Sequence, residues 1–427
     1  MRLPDPRRVL SAAKPGSPDS MLSIYLPAFI LAAGVSIAAP ALPLYAKSFQ
    51  VNFATASLVV VVNQLGAALS TLPNGYLIDR LGGRKMVLAG PILTAATSLL
   101  MATAHSFPEL LAYRFLEGWA MQMWTLGRLE LITARGGAHR GSQITGMFGM
   151  DAAGRLTGPA IGGFVAGAWG LRAPFVLYGI VALLSVVPSF VLVREHNAQG
   201  RRAVQAAVAE APKPALRESL KALLTFPILL LFVSQFLSFM TRGALFGGTL
   251  DLYAVYAYGI GPQTLGFLAL GAGLLGLPLT FTSGRLMDRL GRRTIIVPGF
   301  CLLGLALMTM ATASFGHWPF SEYVGVFLFA RLATSSISGS MQVIGSDMAP
   351  PQARGTFFGV FSLIRQTGSF LSPAVFAFMS QTWSFGSAFV LLSVMAFATA
   401  LMTNTQLKRA PAVSAPVAEV AVSGTGA

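Results

Sequence analysis

The sequence runs to 427 residues, of which 54% are hydrophobic and 11% charged, with a formal net charge of +15. Soluble domains carry about a quarter charged residues, so this composition excludes a water-soluble globular chain and predicts an all-α integral membrane protein. The positive charge does not indicate a nucleic-acid partner, because no soluble segment is long enough to display a basic surface.

Residues 1–20, with Pro4, Pro6, Pro15 and Pro18, read as a cytoplasmic N-terminal tail. The apolar run that follows exceeds a signal core of about 7 to 15 residues and is succeeded at once by another, so it is read as a retained span. Crossing a bilayer takes about 20 apolar residues. Twelve such runs are predicted, at 22–45, 54–78, 86–104, 109–133, 142–168, 173–193, 222–246, 263–287, 294–314, 320–346, 355–380 and 384–406. The first six form one bundle over 21–194 and the last six another over 221–407. A cytoplasmic linker at 195–220 joins them, and 408–427 is a cytoplasmic C-terminal tail. The linker's RESLKALL end suits either solvated chain or an amphipathic helix on the membrane surface.

With the N-terminus inside, the cytoplasmic segments collect 22 of the 30 Lys and Arg, counting Arg285 at the inner end of the eighth span, the outer loops hold only Lys47 and Arg172, and six further arginines lie within spans. This positive-inside pattern places a multi-pass protein in the plasma (inner) membrane with both termini cytoplasmic. Cys301 stands alone, which excludes an internal disulfide and a cysteine metal site, and it is read as a small core residue. The four histidines are scattered without metal-ligand spacing and no phosphate loop is present, so neither an enzyme, a metal site, a cofactor nor an ATP-driven pump is expected.

The two bundles repeat one another. ALPLYA at 41–46 recurs as TLDLYA at 249–254, and GYLIDRLGGRK at 75–85 recurs as GRLMDRLGRRT at 284–294. Farther on, Arg140-Gly141 matches Arg354-Gly355 and Pro159 matches Pro373, both at an offset of 214. Ordered anchors at nearly constant offset identify the halves as structural copies.

A span ending in D-R-x-G-x-R/K, twice at the same repeat position, resembles the signature loop of the major facilitator superfamily. The resemblance covers the whole chain and implies that family's fold: twelve transmembrane helices in two pseudo-symmetric six-helix bundles. The motif residues are Gly75, Asp79, Arg80, Gly82 and Arg84, then Gly284, Asp288, Arg289, Gly291 and Arg292. Gly75 and Gly284 are expected to allow close helix approach, and Gly82 and Gly291 a tight turn. Asp79 and Asp288 are expected to latch the halves against helix N-termini on the cytoplasmic side and so hold an outward-open state. Gly83 departs from the family pattern, which usually has a basic residue there.

In GRLTGPAIGG, Gly154, Gly158 and Gly162 make one smooth face beside Gly163, and Pro159 bends the span. This is similar to a motif of the twelve-helix drug/proton antiporter branch, which implies proton-coupled efflux of small amphipathic or anionic compounds. The alternatives are proton symport or uniport uptake of an organic anion or similar metabolite, and a transporter-like receptor or scaffold. Arg114 in YRFLEG resembles the family's R-x-x-x-G, whose arginine assists proton transfer. Here Glu117, where Gln is commoner, forms either a structural ion pair with Arg114 or a relay. Proton-coupling candidates are Glu117, Asp151, Arg114 and Glu130. Asp151 and Arg155 at i, i+4 are a candidate pair, and Asp251 is expected near the outer mouth.

Charges within the bilayer cost at least about 2.5 to 3.5 kcal/mol unless they face a cavity or a partner. Arg128, Arg155, Arg242, Arg331 and Arg365 are therefore cavity candidates, with Gln64, Gln122, Gln235 and Gln342 beside them. The partners expected are a small-molecule substrate, protons and the lipid bilayer, around a monomer. The excess of arginine over carboxylate predicts a net positive cavity.

Overall fold

In a computed structural model the described residues are 18–134, 140–192, 223–246, 248–350 and 354–409; side chains at 18–24, 79, 132–134, 140–146, 148, 192, 246, 288, 354–355 and 408–409 are outside the description. The predicted linker and both tails fall almost wholly outside it.

Fifteen α-helices and no strands make up these residues. The first bundle holds α1 (Pro18–Ala38), α2 (Ala41–Ser48), α3 (Phe53–Leu81), α4 (Gly83–Thr103), α5 (Phe107–Ala134), α6 (Arg140–Trp169) and α7 (Ala173–Leu192). The second holds α8 (Phe226–Phe246), α9 (Thr249–Tyr258), α10 (Pro262–Leu290), α11 (Arg292–Phe315), α12 (Phe320–Ser336), α13 (Ser340–Met348), α14 (Arg354–Thr382) and α15 (Phe385–Arg409). Spans one, seven and ten are each broken in two, which reduces fifteen helices to the twelve expected crossings. Pro40, without an N–H to donate, interrupts the first; Gly248 (φ +90°) and Gly339 (φ +79°) interrupt the others in a backbone region that favours glycine.

Nine segments are long and apolar enough to cross a membrane by length and composition among the described residues. The long helices outside that set are α5, α6 and α14, which carry Arg114, Glu117, Arg128, Asp151, Arg155 and Arg365. Charged side chains have thus diluted their hydropathy without shortening the helices.

The repeat is visible in backbone dihedrals. Gly82 joins α3 to α4 at φ 87°, ψ 153°, and Gly291 joins α10 to α11 at φ 87°, ψ 148°. Only glycine occupies that region comfortably. A Cβ at Gly75 or Gly284, however, would meet nothing within 4 Å, so these two glycines do not serve close helix approach.

Close approach occurs on α6 instead. Cβ atoms at Gly154, Gly158 and Gly162 would strike the α1 backbone at Phe29, Ala33 and Ile37. Without a strong hydrophobic drive between helices in lipid, such van der Waals fit carries the association. The second bundle solves the same problem differently. Gly368 on α14 faces the Phe236 carbonyl of α8, Ser372 replaces Gly158 and donates its hydroxyl to the Met240 carbonyl, and Phe376 replaces Gly162.

The bundles meet along α6–α10 and α3–α14. Gly163 and Gly266 let α6 and α10 touch, a Cβ at Gly163 lying 2.5 Å from the Pro262 carbonyl. At the end opposite Gly82 and Gly291, Lys47 Nζ donates to the Val255 carbonyl (3.1 Å) and Tyr256 to that of Val51 (2.7 Å). Phe53 inserts there among Tyr256, Phe376 and Phe385, the last at 4.7 Å between ring centroids. Cys301, expected in the core, is exposed on α11, a face of the helix that the described residues leave uncovered.

Candidate functional site

A cavity of about 350 Å³ opens between α1, α2, α3, α5 and α6 of the first bundle and α9 of the second. Asn63 and Gln64 line it from α3, Arg114, Glu117 and Gln122 from α5, Arg155 from α6 and Asp251 from α9. A second cavity of about 280 Å³, with Arg128 and Asp151 in its wall, adjoins it. Met121, Thr125 and Arg155 line both, so the two are neighbouring chambers. Short α2 and α9 cap the larger one on the side where the bundles are hydrogen-bonded to each other.

The breaks position the site. Ending span seven at Gly248 starts α9 inside the protein, so Asp251 in its first turn enters the cavity rather than the outer mouth expected for it. On α5, Glu117 is 3% exposed, pairs with Arg114 and accepts a 3.4 Å hydrogen bond from Asn63 Nδ2. The same asparagine donates to the Arg114 carbonyl, and Arg114 Nε donates to that of Val59. Close packing permits this polar seam, since a Cβ at Gly66 would strike the Phe115 backbone and one at Gly118 that of Asn63.

Asp151 does not pair with Arg155, its neighbour one turn along α6. It binds Arg128 of α5 through two bonds of 2.9 and 3.1 Å, and Arg128 lies 4.5 Å from the centre of the Trp124 ring. A two-point fork to a facing helix gives better geometry than an i, i+4 contact on one surface, and it engages both terminal nitrogens of a guanidinium only 3% exposed. Arg331 on α12 donates to Asp251 at 2.7 Å, joining the broken spans seven and ten.

Several candidates lie elsewhere. Gln235 is fully buried in α8, Gln342 is exposed on α13, and neither lines the two cavities. Arg242, Arg331 and Arg365 are also absent from those linings; Arg242 and Arg365 flank Phe239 at 5.4 and 5.7 Å. Glu130 packs over Gly83 at the start of α4, and a Cβ at Gly83 would collide with its carboxylate. At the equivalent place in the second copy Arg292 pairs with Asp347. Arg80 is exposed and stacks on Tyr76, Arg84 is half-buried and Arg289 exposed. The Asp79 and Asp288 side chains, expected as latches, lie outside the described residues.

The place of Asp251 in the cavity wall and the Lys47–Tyr256 closure were not foreseen from the sequence. The repeat held a signal for the first: Asp251 takes the place in TLDLYA that Pro43 takes in ALPLYA, and both line the cavity.

Comparison with known proteins agrees with this architecture. Over 82% of its length the chain is 24% identical to the quinolone resistance protein NorA of Staphylococcus aureus, covering 87% of that protein. It is 25% identical to the multidrug resistance protein MdtG of Enterobacter lignolyticus, with 92% of this chain and 93% of that one aligned. Among solved structures, the D-xylose-proton symporter superposes with a TM-score of 0.72 at 17% identity, covering 92% of this chain and 98% of the other. The sequence profile of the Major Facilitator Superfamily matches residues 24–366 and 231–421, and the chain therefore belongs to that superfamily of membrane transporters.

Proposed function

We propose that this transporter exports small amphipathic or anionic compounds in exchange for protons, by alternating access of the central cavity to the two sides of the membrane. The observation that carries the coupling is Glu117, a carboxylate on the cavity wall whose charge is balanced by Arg114 and held by Asn63. The similarity to proteins named for quinolone and multidrug resistance supports export. In this reading the transport unit is a monomer of two bundles, 21–194 and 221–407, in the plasma (inner) membrane. The 195–220 linker and both termini are cytoplasmic, as the positive-inside bias suggests.

A proton on Glu117 breaks its ion pair and removes one negative charge from the cavity. That opposes a substrate group that donates to the carboxylate and assists one that accepts from an arginine. Exchange therefore suits a substrate, amphipathic or anionic, that also bears a donor group, whereas one with acceptor groups alone turns the same site toward symport. The second reading, uptake of an organic anion, is favoured by the arginines in the lining. One charge falling through about 100 mV releases roughly 2.3 kcal/mol, enough to drive either.

The test uses inverted vesicles, acidified inside and holding a pH-sensitive dye. Under exchange, adding a transported compound raises the internal pH, and Glu117→Gln abolishes the response; under symport the interior acidifies further. An alkalinisation unchanged in both Glu117→Gln and Asp151→Asn refutes both as proton carriers.

A further inference from the structure

We infer that the substrate carries an anionic group and that Arg155 is the residue that binds it. The inference rests on the reading of the central cavity as the substrate site, but not on the direction of transport or on protons. Charge bookkeeping across the two chambers leads to Arg155. Their walls present three carboxylates, and each is engaged by an arginine: Glu117 by Arg114, Asp151 by Arg128 and Asp251 by Arg331. Arg155 remains. Among the described residues it has neither an ion pair nor a hydrogen bond, and it alone of the charged side chains lines both chambers.

Its place on α6 accounts for this. Gly154 and Gly158 turn toward the α1 backbone, so Arg155, one residue past Gly154, is rotated off that packing face and stays exposed although it lies midway along a 30-residue span. A guanidinium at such depth must be satisfied by water or by a ligand. Five donors in a rigid fork match a carboxylate, sulfonate or phosphate group better than any neutral acceptor. Apolar surface stands beside it, Met121 between the chambers and Trp124 in the smaller one, for the body of an amphipath. Together the chambers are large enough for a drug-sized molecule, which needs about 300 Å³ or more. A substrate that also bears a donor would place that group toward Glu117, where a proton competes with it.

Equilibrium binding to purified protein in nanodiscs, with no gradient, tests the inference. The probes are 2-naphthoate and 2-naphthamide, which share an aromatic body and differ in charge, each titrated by quenching of tryptophan fluorescence against empty nanodiscs. The wild type is expected to bind the carboxylate about ten- to a hundredfold more tightly than the amide, the range for a hydrogen bond to a charged group. Arg155→Gln is expected to bring the two affinities together, and Arg155→Lys to restore part of the difference, with the melting temperature of each variant showing that it is folded. Equal affinity of the wild type for both probes overturns the inference, as does an unchanged ratio in Arg155→Gln. So does failure of the wild type to bind naphthoate at millimolar concentration, and failure to bind either probe also counts against the cavity as the substrate site. Loss of proton exchange in vesicles with the ratio intact would sink the proposed coupling alone.

Discussion

Replacing Gly162 by alanine tests whether the α1–α6 interface is held by backbone contact. The added methyl would lie 2.7 Å from the carbonyl carbon and 2.9 Å from the Cα of Ile37, with the carbonyl oxygen nearer still. Backbone atoms cannot rotate away as a side-chain tip does. The helices must therefore part by at least 0.7 Å, from 2.7 Å to an ordinary contact of 3.4 Å. A gap of about 0.5 to 1 Å forfeits a quarter to a half of each dispersion contact, and the loss extends along the seam to Gly158 and Gly154. The expected cost is about 3 kcal/mol, the upper end for overpacking. Gly149 provides the control on the same helix, because a Cβ there meets nothing within 4 Å. Gly149→Ala should be neutral or stabilising by up to about 1 kcal/mol through helix propensity. Thermal unfolding in detergent, followed by tryptophan fluorescence, should place Gly162→Ala several degrees below the wild type and Gly149→Ala at or above it. Equal melting of the two variants would refute the claim that backbone approach determines this interface.

Asp151→Asn leaves the buried Arg128 without its counter-charge, so it should cost about 3 to 5 kcal/mol; adding Arg128→Gln should recover part of that in the same melting assay, and strictly additive effects would show that the pair is not coupled. Phe53→Ala combined with Tyr256→Phe removes the aromatic wedge and the bond to the Val51 carbonyl. In a Cys301→Ser background carrying Leu42→Cys, a membrane-impermeant thiol reagent added from the Lys47 side should then label the cavity several-fold faster, whereas an unchanged rate would mean that the closure lies elsewhere. Gly291→Ala, at φ 87° and ψ 148°, should lose about 1 to 3 kcal/mol, while Gly284→Ala, facing open space, should not. A melting curve that ranks them the other way would contradict the assigned turn.

Much of the fold was legible because the membrane simplifies the problem. Backbone polar groups must be satisfied within each span, so a run of about 20 apolar residues already implies a helix. Duplication could be read as well, since GYLIDRLGGRK and GRLMDRLGRRT need the same glycine-only turn at Gly82 and Gly291. The smooth face of Gly154, Gly158 and Gly162 was also readable, because three small residues on one side of a helix have few uses other than close packing. Gly75 and Gly284 show the limit of that inference: an equally small residue has no neighbour when its face turns outward.

The site itself was legible only as a set of residue types. Composition and spacing placed Arg114, Glu117, Arg128, Asp151 and Arg155 inside the bilayer and required partners for them. Within one helix the three-residue spacing of Arg114 and Glu117 was enough to pair them. Between helices it was not, because the partner of a charge depends on the rotation and depth of its neighbours, which no local spacing encodes. Asp151 consequently chose Arg128 across a helix gap over Arg155 on its own helix, and Arg155 was left facing the cavity. Nor did hydropathy show the breaks at Pro40 and Gly339, which interrupt hydrogen bonding without interrupting apolarity, or the short helix α9 that follows the end of the seventh run. Sequence alone therefore determined the crossings, the repeat and the charges to be neutralised, whereas tertiary packing decided which charges neutralise one another and which one remains for a ligand.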